Sequence, residues 1–216
     1  MKKIASPLFQ DLSEAELDTL AAAGHLRTRQ FAKHEVIFHA GSCVREIGIV
    51  LRGSVHIENL DPWGTKSILS SVGAGQAFAE TYAFCGEALM VDAVAAEHCE
   101  ILFLHTAAFT DARIEPALQD KLLRRLLAVS MRKNLSLSQR IFCTTPKTVR
   151  GRLLTYFSAQ AARCGRMEFE VPFNRQQMAD YLNLDRSALS KELCKMRDEG
   201  LLEFDKNRFV LKQLPE

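Results

Sequence analysis

The chain has 216 residues, 47% of them hydrophobic, with 28 Lys and Arg against 26 Asp and Glu. That apolar share excludes a disordered chain, and no apolar run reaches the roughly 18–20 residues of a membrane span. The net charge of +2 conceals an asymmetry: residues 1–120 carry 9 basic and 16 acidic side chains, residues 121–216 carry 19 and 10, and 121–166 hold 11 basic residues and no acid. Two modules are expected, the second facing a polyanion.

The first residues, Met1-Lys2-Lys3-Ile4-Ala5-Ser6-Pro7, have no apolar stretch of the signal-peptide kind, so a cytoplasmic protein is expected. Residues 6–30 read as a short helical entry, with Ser13 and Glu16 at capping-box spacing ahead of Leu17 and Leu20. From 31 to 104 the pattern shortens. Gly41, Gly53, Gly64 and Gly75 punctuate apolar segments at 35–38, 46–51, 55–60 and 67–72, and two more follow at 90–96 and 100–104. Asp61-Pro62-Trp63-Gly64 is a turn. Regular short strands with turn signals predict an antiparallel jelly-roll barrel.

Residues 113–143 take up a helical period, with Pro116 suited to the first turn. Leu123, Leu127, Ser130, Asn134, Leu137 and Ile141 follow alternating steps of four and three, an a/d seam. The helix is about 28 residues, or about 42 Å long. Lys121, Arg124, Arg125, Arg132 and Lys133 fall on its other face. Such a seam predicts pairing with a second copy of the chain, the alternative being a helix laid along its own domain. Ser130 and Asn134 are polar where Leu would pack better, so they touch an effector or set register. Thr144-Thr145-Pro146 breaks the helix, and a further helix spans 147–163.

Residues 172–202 carry the most specific motif. Asn174 caps a helix with Gln177 three residues on, Phe173 and Met178 form a staple, and Met178, Tyr181 and Leu182 point inward. Asn183 suits a turn with positive φ, Leu184 plugs the angle between helices, and Asp185 caps a second helix running to about Glu199. Leu189, Leu193 and Met196 face inward, whereas Arg186, Ser187, Ser190 and Lys191 face out. A hairpin follows at 201–211. This is a winged helix-turn-helix. Arg186 and Lys191 can donate to guanine O6 and N7, and Ser187 and Ser190 can pair with several bases. Asn174, Arg175 and Gln176 stand at a helix N-terminus that favours phosphate. Lys147, Thr148 and Arg150 offer a second phosphate grip.

The sequence resembles the Crp/Fnr family of bacterial transcription regulators, through the ungapped helix-turn-helix 174–202 with its Asn-Arg-Gln start and its Asp-Arg-Ser-Ala-Leu-Ser-Lys stretch. The barrel, long helix and wing come in the family's order. The division expected is a sensing domain at 1–112, a dimerisation helix with hinge at 113–145 and a DNA-binding domain at 146–216, an α+β architecture with a cyclic-nucleotide-binding-like barrel. The resemblance implies a homodimer on a palindromic double-stranded operator, contact with RNA polymerase, and no catalytic residue. It places Arg186, Ser187, Ser190 and Lys191 at the base-reading positions, although a Glu common in the family is replaced by Ser187.

The sensor half departs from the family's cyclic-nucleotide members. Their Phe-Gly-Glu segment is Phe78-Ala79-Glu80 here, and their later Arg-Ser pair is Leu89-Met90. Glu80 can accept a ligand hydroxyl, but a phosphate needs a cation, and none lies between Lys66 and Arg113. This argues against cyclic AMP, and the first cysteine, Cys43, comes too late for the family's N-terminal iron–sulfur cluster. The effector expected is a small molecule in an apolar pocket near Phe78, Tyr82, Phe84, Leu89 and Met90, with Ser130 and Asn134 on the helix. Heme stays open through His34, His39, His56, His98 or His105, with no spacing that selects one. A redox switch at Cys85 or Cys99 also stays open. The six cysteines include no C-x-x-C pair and no metal site is expected. Rivals of another class are a jelly-roll metalloenzyme, which His34 and His39 supply with no third ligand, and a winged helix that binds protein only.

Overall fold

The computed structural model describes residues 4–60 and 66–212; the turn expected at 61–64 lies outside them. The chain packs as two units, Met1–Arg132 and Lys133–Glu216.

In the first unit the expected helical entry is shorter. Helix α1 (Glu14–Ala22) has the full capping box: Glu16 N–H donates to Ser13 Oγ at 3.3 Å and Ser13 N–H donates to Glu16 Oε2 at 2.7 Å. Leu17 and Leu20 are buried. Gly24, with φ of 81°, then turns the chain, and His25 N–H closes on Leu20 O at 2.9 Å. Residues 26–30, expected in the helical entry, belong to strand β1 (Leu26–Phe31) instead. They do so because β8 (Cys99–His105), about 70 residues away, supplies an antiparallel partner with Leu26 opposite Leu104.

The remaining strands are β2 (Val36–Phe38), β3 (Glu46–Arg52), β4 (Val55–Leu60), β5 (Lys66–Val72), β6 (Ala77–Phe78) and β7 (Asp92–Ala95), with a short helix α2 (Glu80–Cys85) between the last two. They form two antiparallel four-stranded sheets, ordered β1-β8-β3-β6 and β2-β7-β4-β5. Phe31, Phe38, Val50, Val55, Phe78, Ile101 and Phe103 share one core cluster contributed by both sheets, with Phe38 and Phe103 edge-to-face at 5.7 Å. A second cluster joins Ile47, Ile49, Leu102 and Leu104 to Leu8, Leu17, Leu20, Leu118, Leu122 and Leu126. Strands β3 and β8 are therefore covered on both faces, which is why they read as unbroken apolar runs.

Two backbone details fix the β6–α2 corner. A Cβ on Gly48 would come within 2.2 Å of the Phe78 ring, so only glycine admits that ring. Ala79, ahead of α2, is left-handed at φ 61°, ψ 8°, a conformation that costs an L-residue roughly 1–2 kcal/mol. Ala79→Gly is expected to stabilise the protein by about 0.5–1 kcal/mol once the added freedom of the unfolded chain is subtracted. Urea unfolding checks this as a raised midpoint at unchanged slope.

Helix α3 (Pro116–Thr144, 29 residues) begins at the proline, as expected. It carries two apolar stripes. Leu118, Leu122 and Leu126 are buried in the core of the first unit. Leu123, Leu127 and Met131 stand out of that unit at 47%, 56% and 50% exposure, and Leu135, Leu137, Ile141 and Phe142 in the second unit are exposed as well.

The second unit continues with α4 (Val149–Cys164), β9 (Glu168–Glu170), α5 (Arg175–Leu182), α6 (Arg186–Asp198), β10 (Leu202–Asp205) and β11 (Arg208–Leu211). The expected two-stranded wing is a three-stranded sheet, β10-β11-β9. Its core holds Leu153, Tyr156, Phe157, Phe169, Met178, Leu182, Leu189, Leu193, Met196 and Phe209. The rings of Phe157 and Phe209 are 4.6 Å apart.

Candidate nucleic-acid interface

The helix-turn-helix is built by local chemistry. Asn174 Oδ1 accepts from Gln177 N–H and Gln177 Oε1 accepts from Asn174 N–H, both at 2.9 Å. Asn183 ends α5 with φ 52°, ψ 52°. Asp185 caps α6, with Oδ1 accepting from Ser187 N–H at 2.8 Å and Ala188 N–H at 3.0 Å. The Ser187 hydroxyl also donates to Asp185 Oδ1, at 2.5 Å. That bond, followed by the two amides, lowers the Asp185 carboxyl below its ordinary value. The proton of Ser187 is thereby used, and its oxygen is left as an acceptor, suited to an exocyclic amine of a base.

Around α6 the exposed side chains open onto two clefts. One, of about 420 Å³, joins Asn174, Arg175 and Gln176 at the start of α5 to Arg186 at the start of α6 and to Lys206 and Asn207 at the wing turn. The other, about 690 Å³, lies on the α4 side and is lined by Val149, Ala188, Lys191, Glu192 and Lys195 among others. Arg186 and Lys191 are five residues apart, about 140° around the helix, so they line different clefts. Ser190 is half-buried between them. Lys206 and Asn207 join this cleft without having been singled out in the sequence; their position at the two-residue turn of the wing was the available signal.

The expected phosphate contacts are not equivalent. Lys147 is exposed. Thr148 caps α4, with Oγ1 accepting from Gly151 N–H at 3.0 Å. Arg150 donates Nε to Glu192 Oε1 at 2.6 Å and Nη2 to Glu199 Oε1 at 2.9 Å, and those two carboxylates raise its affinity for its proton, Glu199 most. Its donors are engaged inside the domain. Arg175 lies over the rings of Phe204 and Phe209 at 5.0 and 5.1 Å. Its buried Nη1 has no hydrogen-bond partner among the described residues, and burial lowers its pKa.

The sequence matches the family model of the cyclic nucleotide-binding domain over residues 28–113 and that of the Crp-like helix-turn-helix domain over residues 151–216. The chain belongs to the Crp/Fnr family of transcription regulators. Solved structures with the same fold include FixK2 from Bradyrhizobium japonicum, at 19% identity over 87% of this chain and 93% of that one, TM-score 0.52. The Thermus thermophilus Catabolite Activator Protein follows at 24% identity, 96% and 94% coverage and TM-score 0.50. CprK complexed with OCPA has 13% identity, 94% and 91% coverage and TM-score 0.65. No curated protein sequence matches. As a Crp/Fnr regulator, this protein binds DNA through its C-terminal domain.

The Crp/Fnr barrel places the expected effector residues unevenly. Phe78 and Leu89 are buried in the core between the sheets, with Tyr82 packed against it half-buried. Glu80 is buried in the first turn of α2. Met90 instead stands 77% exposed and lines no apolar interior, and Phe84 is exposed with its edge on Phe109 at 5.5 Å. Ser130 is half-buried, and exposed Asn134 accepts from Ser138 Oγ at 3.3 Å.

The segment from 67 to 112 supplies no cation for the phosphate of a cyclic nucleotide. No Lys or Arg occurs from 67 to 112, and Arg113 is engaged with Asp111, Nη2 to Oδ2 at 2.6 Å. Leu89 and Met90, which the resemblance sets where the family's cyclic-nucleotide members carry Arg-Ser, offer a phosphate no cation. Among the described residues no group of three or more His, Cys, Asp or Glu gathers in a metal-holding arrangement, and no helix is long and apolar enough to cross a membrane.

Proposed function

We propose that this protein is a cytoplasmic homodimer that reads a palindromic duplex with Arg186, Ser187, Ser190 and Lys191 of α6, and whose DNA affinity is set by a small molecule other than cyclic AMP, or by a redox signal, acting on the barrel. The cleft that unites the α5 N-terminus, Arg186 and the wing turn carries this reading. It gathers amide donors, a helix N-terminus and three cations where a phosphate backbone and a base edge meet. Asn174, Arg175, Gln176, Lys147 and Thr148 anchor phosphate, joined by Lys206 and Asn207, with Arg150 released to them only if DNA displaces Glu192 or Glu199. Leu123, Leu127, Leu137 and Ile141 form the seam with the second copy, and RNA polymerase is the downstream partner. Ligand control requires only that the effector prefer one arrangement of the dimer, a coupling of typically about 1–3 kcal/mol.

Titration of a genomic duplex at two salt concentrations tests the DNA side. With about 6–10 phosphates neutralised per dimer, affinity is expected to fall about 10³–10⁵-fold between roughly 50 and 200 mM salt. Salt-insensitive binding, or none in the presence of cell extract, defeats the reading. The absorption spectrum of purified protein tests the heme alternative, since a Soret band would make heme the effector.

A further inference from the structure

The C-terminus of α5 is gripped from outside the helix-turn-helix by two arginines. A helix leaves its last four carbonyls without intrahelical partners. Here Leu184 N–H reaches Ala179 O at 2.9 Å and Asn183 N–H reaches Asp180 O only at 3.4 Å. Guanidinium groups take the others and strengthen the hold on Asp180 O. Arg140, in the last turns of α3, donates Nη2 to Asp180 O at 3.0 Å and Nε to Tyr181 O at 3.1 Å, and its Nη2 also reaches Asn183 Oδ1 at 3.2 Å. Arg152, in α4, donates Nη1 to Leu182 O at 3.0 Å and Asn183 O at 2.7 Å, while its Nε holds Pro146 O, at the break between α3 and α4, at 2.8 Å. Four successive carbonyls, 180 to 183, therefore end on two cations. The negative end of the α5 dipole favours that arrangement, and bonds from a charged donor are the stronger kind.

This geometry bears on recognition because α6 starts three residues after Asn183. Wherever the turn sits, Arg186 and Ser187 follow. Arg140 is half-buried, its guanidinium 5.8 Å from the Tyr181 ring centre, and its Nε and Nη2 are spent on the turn. It is not offered to phosphate.

We propose that Arg140 is a positioning residue for base reading: it ties the α5–α6 turn to the end of α3, so that α6 is presented to DNA at one angle. Arg152 supplies the second tie, from α4 and the helix break. Arg140 touches no base, and its effect passes through the carbonyls of residues 180 and 181 and the side chain of Asn183. A turn released from this tie lets α6 sample several angles, and contacts that require alignment suffer while diffuse attraction to phosphate does not. The inference rests on α6 being the reader.

The full-length protein tests it with two probes: a duplex selected by the wild type from a random-sequence library, and a scrambled duplex of equal length. Arg140→Gln is expected to weaken binding to the selected duplex by about tenfold or more, the scale of losing charge-assisted hydrogen bonds, and to leave the scrambled duplex and its salt slope within about twofold. Arg140→Lys, whose ammonium can serve part of the acceptor set, recovers part of the discrimination. In the free protein, amide exchange from Leu184 to Ser187 quickens in Arg140→Gln, while the amides of Phe157 and Leu193 in the domain core keep their protection. Equal loss on both duplexes, unchanged discrimination, or unchanged exchange at the turn overturns the proposal. Should Arg140→Gln fail to fold, Arg140→Lys is read alone in both assays, and wild-type behaviour in both overturns it. If the wild type selects no sequence, the reading of α6 falls, and the exchange measurement still decides whether Arg140 holds the turn.

Discussion

Replacing Leu127 and Leu137 together by Asp is expected to give a folded monomer whose affinity for a palindromic duplex is lower by about 10²–10⁴-fold, the scale of the avidity lost when two linked half-site contacts become one. Both side chains are exposed, at 56% and 61%, so the protomer loses little stability. Both lie on the a/d face, where a partner helix would bury them and an unpaired carboxylate would be costly. Sedimentation checks the oligomeric state and circular dichroism the fold. A dimer that persists would show that another surface pairs the chains. The adjacent stripe is the contrast. Leu122 is fully buried against the barrel, and Leu122→Asp is expected to damage the domain itself.

The second large effect is expected at the reader helix. Arg186→Ala should cost about 1–3 kcal/mol of discrimination, roughly 5–150-fold, at the base it addresses. It should cost far less on scrambled DNA. Arg186 is exposed at the first residue of α6 and shares its cleft with the wing turn, so on the proposed reading its bidentate donor would meet a base edge. Lys147→Ala should instead weaken all duplexes alike and reduce the salt slope by about one unit, because Lys147 is an exposed cation with no place in a base-facing cleft. Parallel binding curves over a set of operator variants separate the two behaviours. Equal losses from both variants on every duplex would sink the division of roles.

The segment from Asn174 to Asp198 was legible almost residue by residue. Its determinants are local: the Asn174–Gln177 capping box, the left-handed Asn183, the Asp185 cap, and the inward spacing of Leu189, Leu193 and Met196 all act within a few residues. The barrel was legible in outline only. Strand β1 hid at the end of an expected helical entry because its partner, β8, is about 70 residues away, and at the left-handed Ala79 before α2 no glycine announces the turn. The wing's third strand, β9, is three residues long and exists only through pairing with β11.

Charge separates the two levels most clearly. The run of basic residues from 121 to 166 reads as one polyanion-facing surface, and the asymmetry behind it is real. Within the folded chain Lys121 pairs with Glu16, Arg125 with Asp11, and Arg150 with Glu192 and Glu199, while Arg140 and Arg152 cap α5. The order of modules, the helix-turn-helix and the existence of an exposed a/d stripe follow from the sequence by itself, since short-range capping and periodicity determine them. Which leucine stripe α3 keeps for its own barrel, which cations stay free of internal carboxylates, and how the end of α5 is held were decided only in three dimensions. The carboxylates, carbonyls and apolar faces that settle those choices lie tens of residues away along the chain and meet only when it folds.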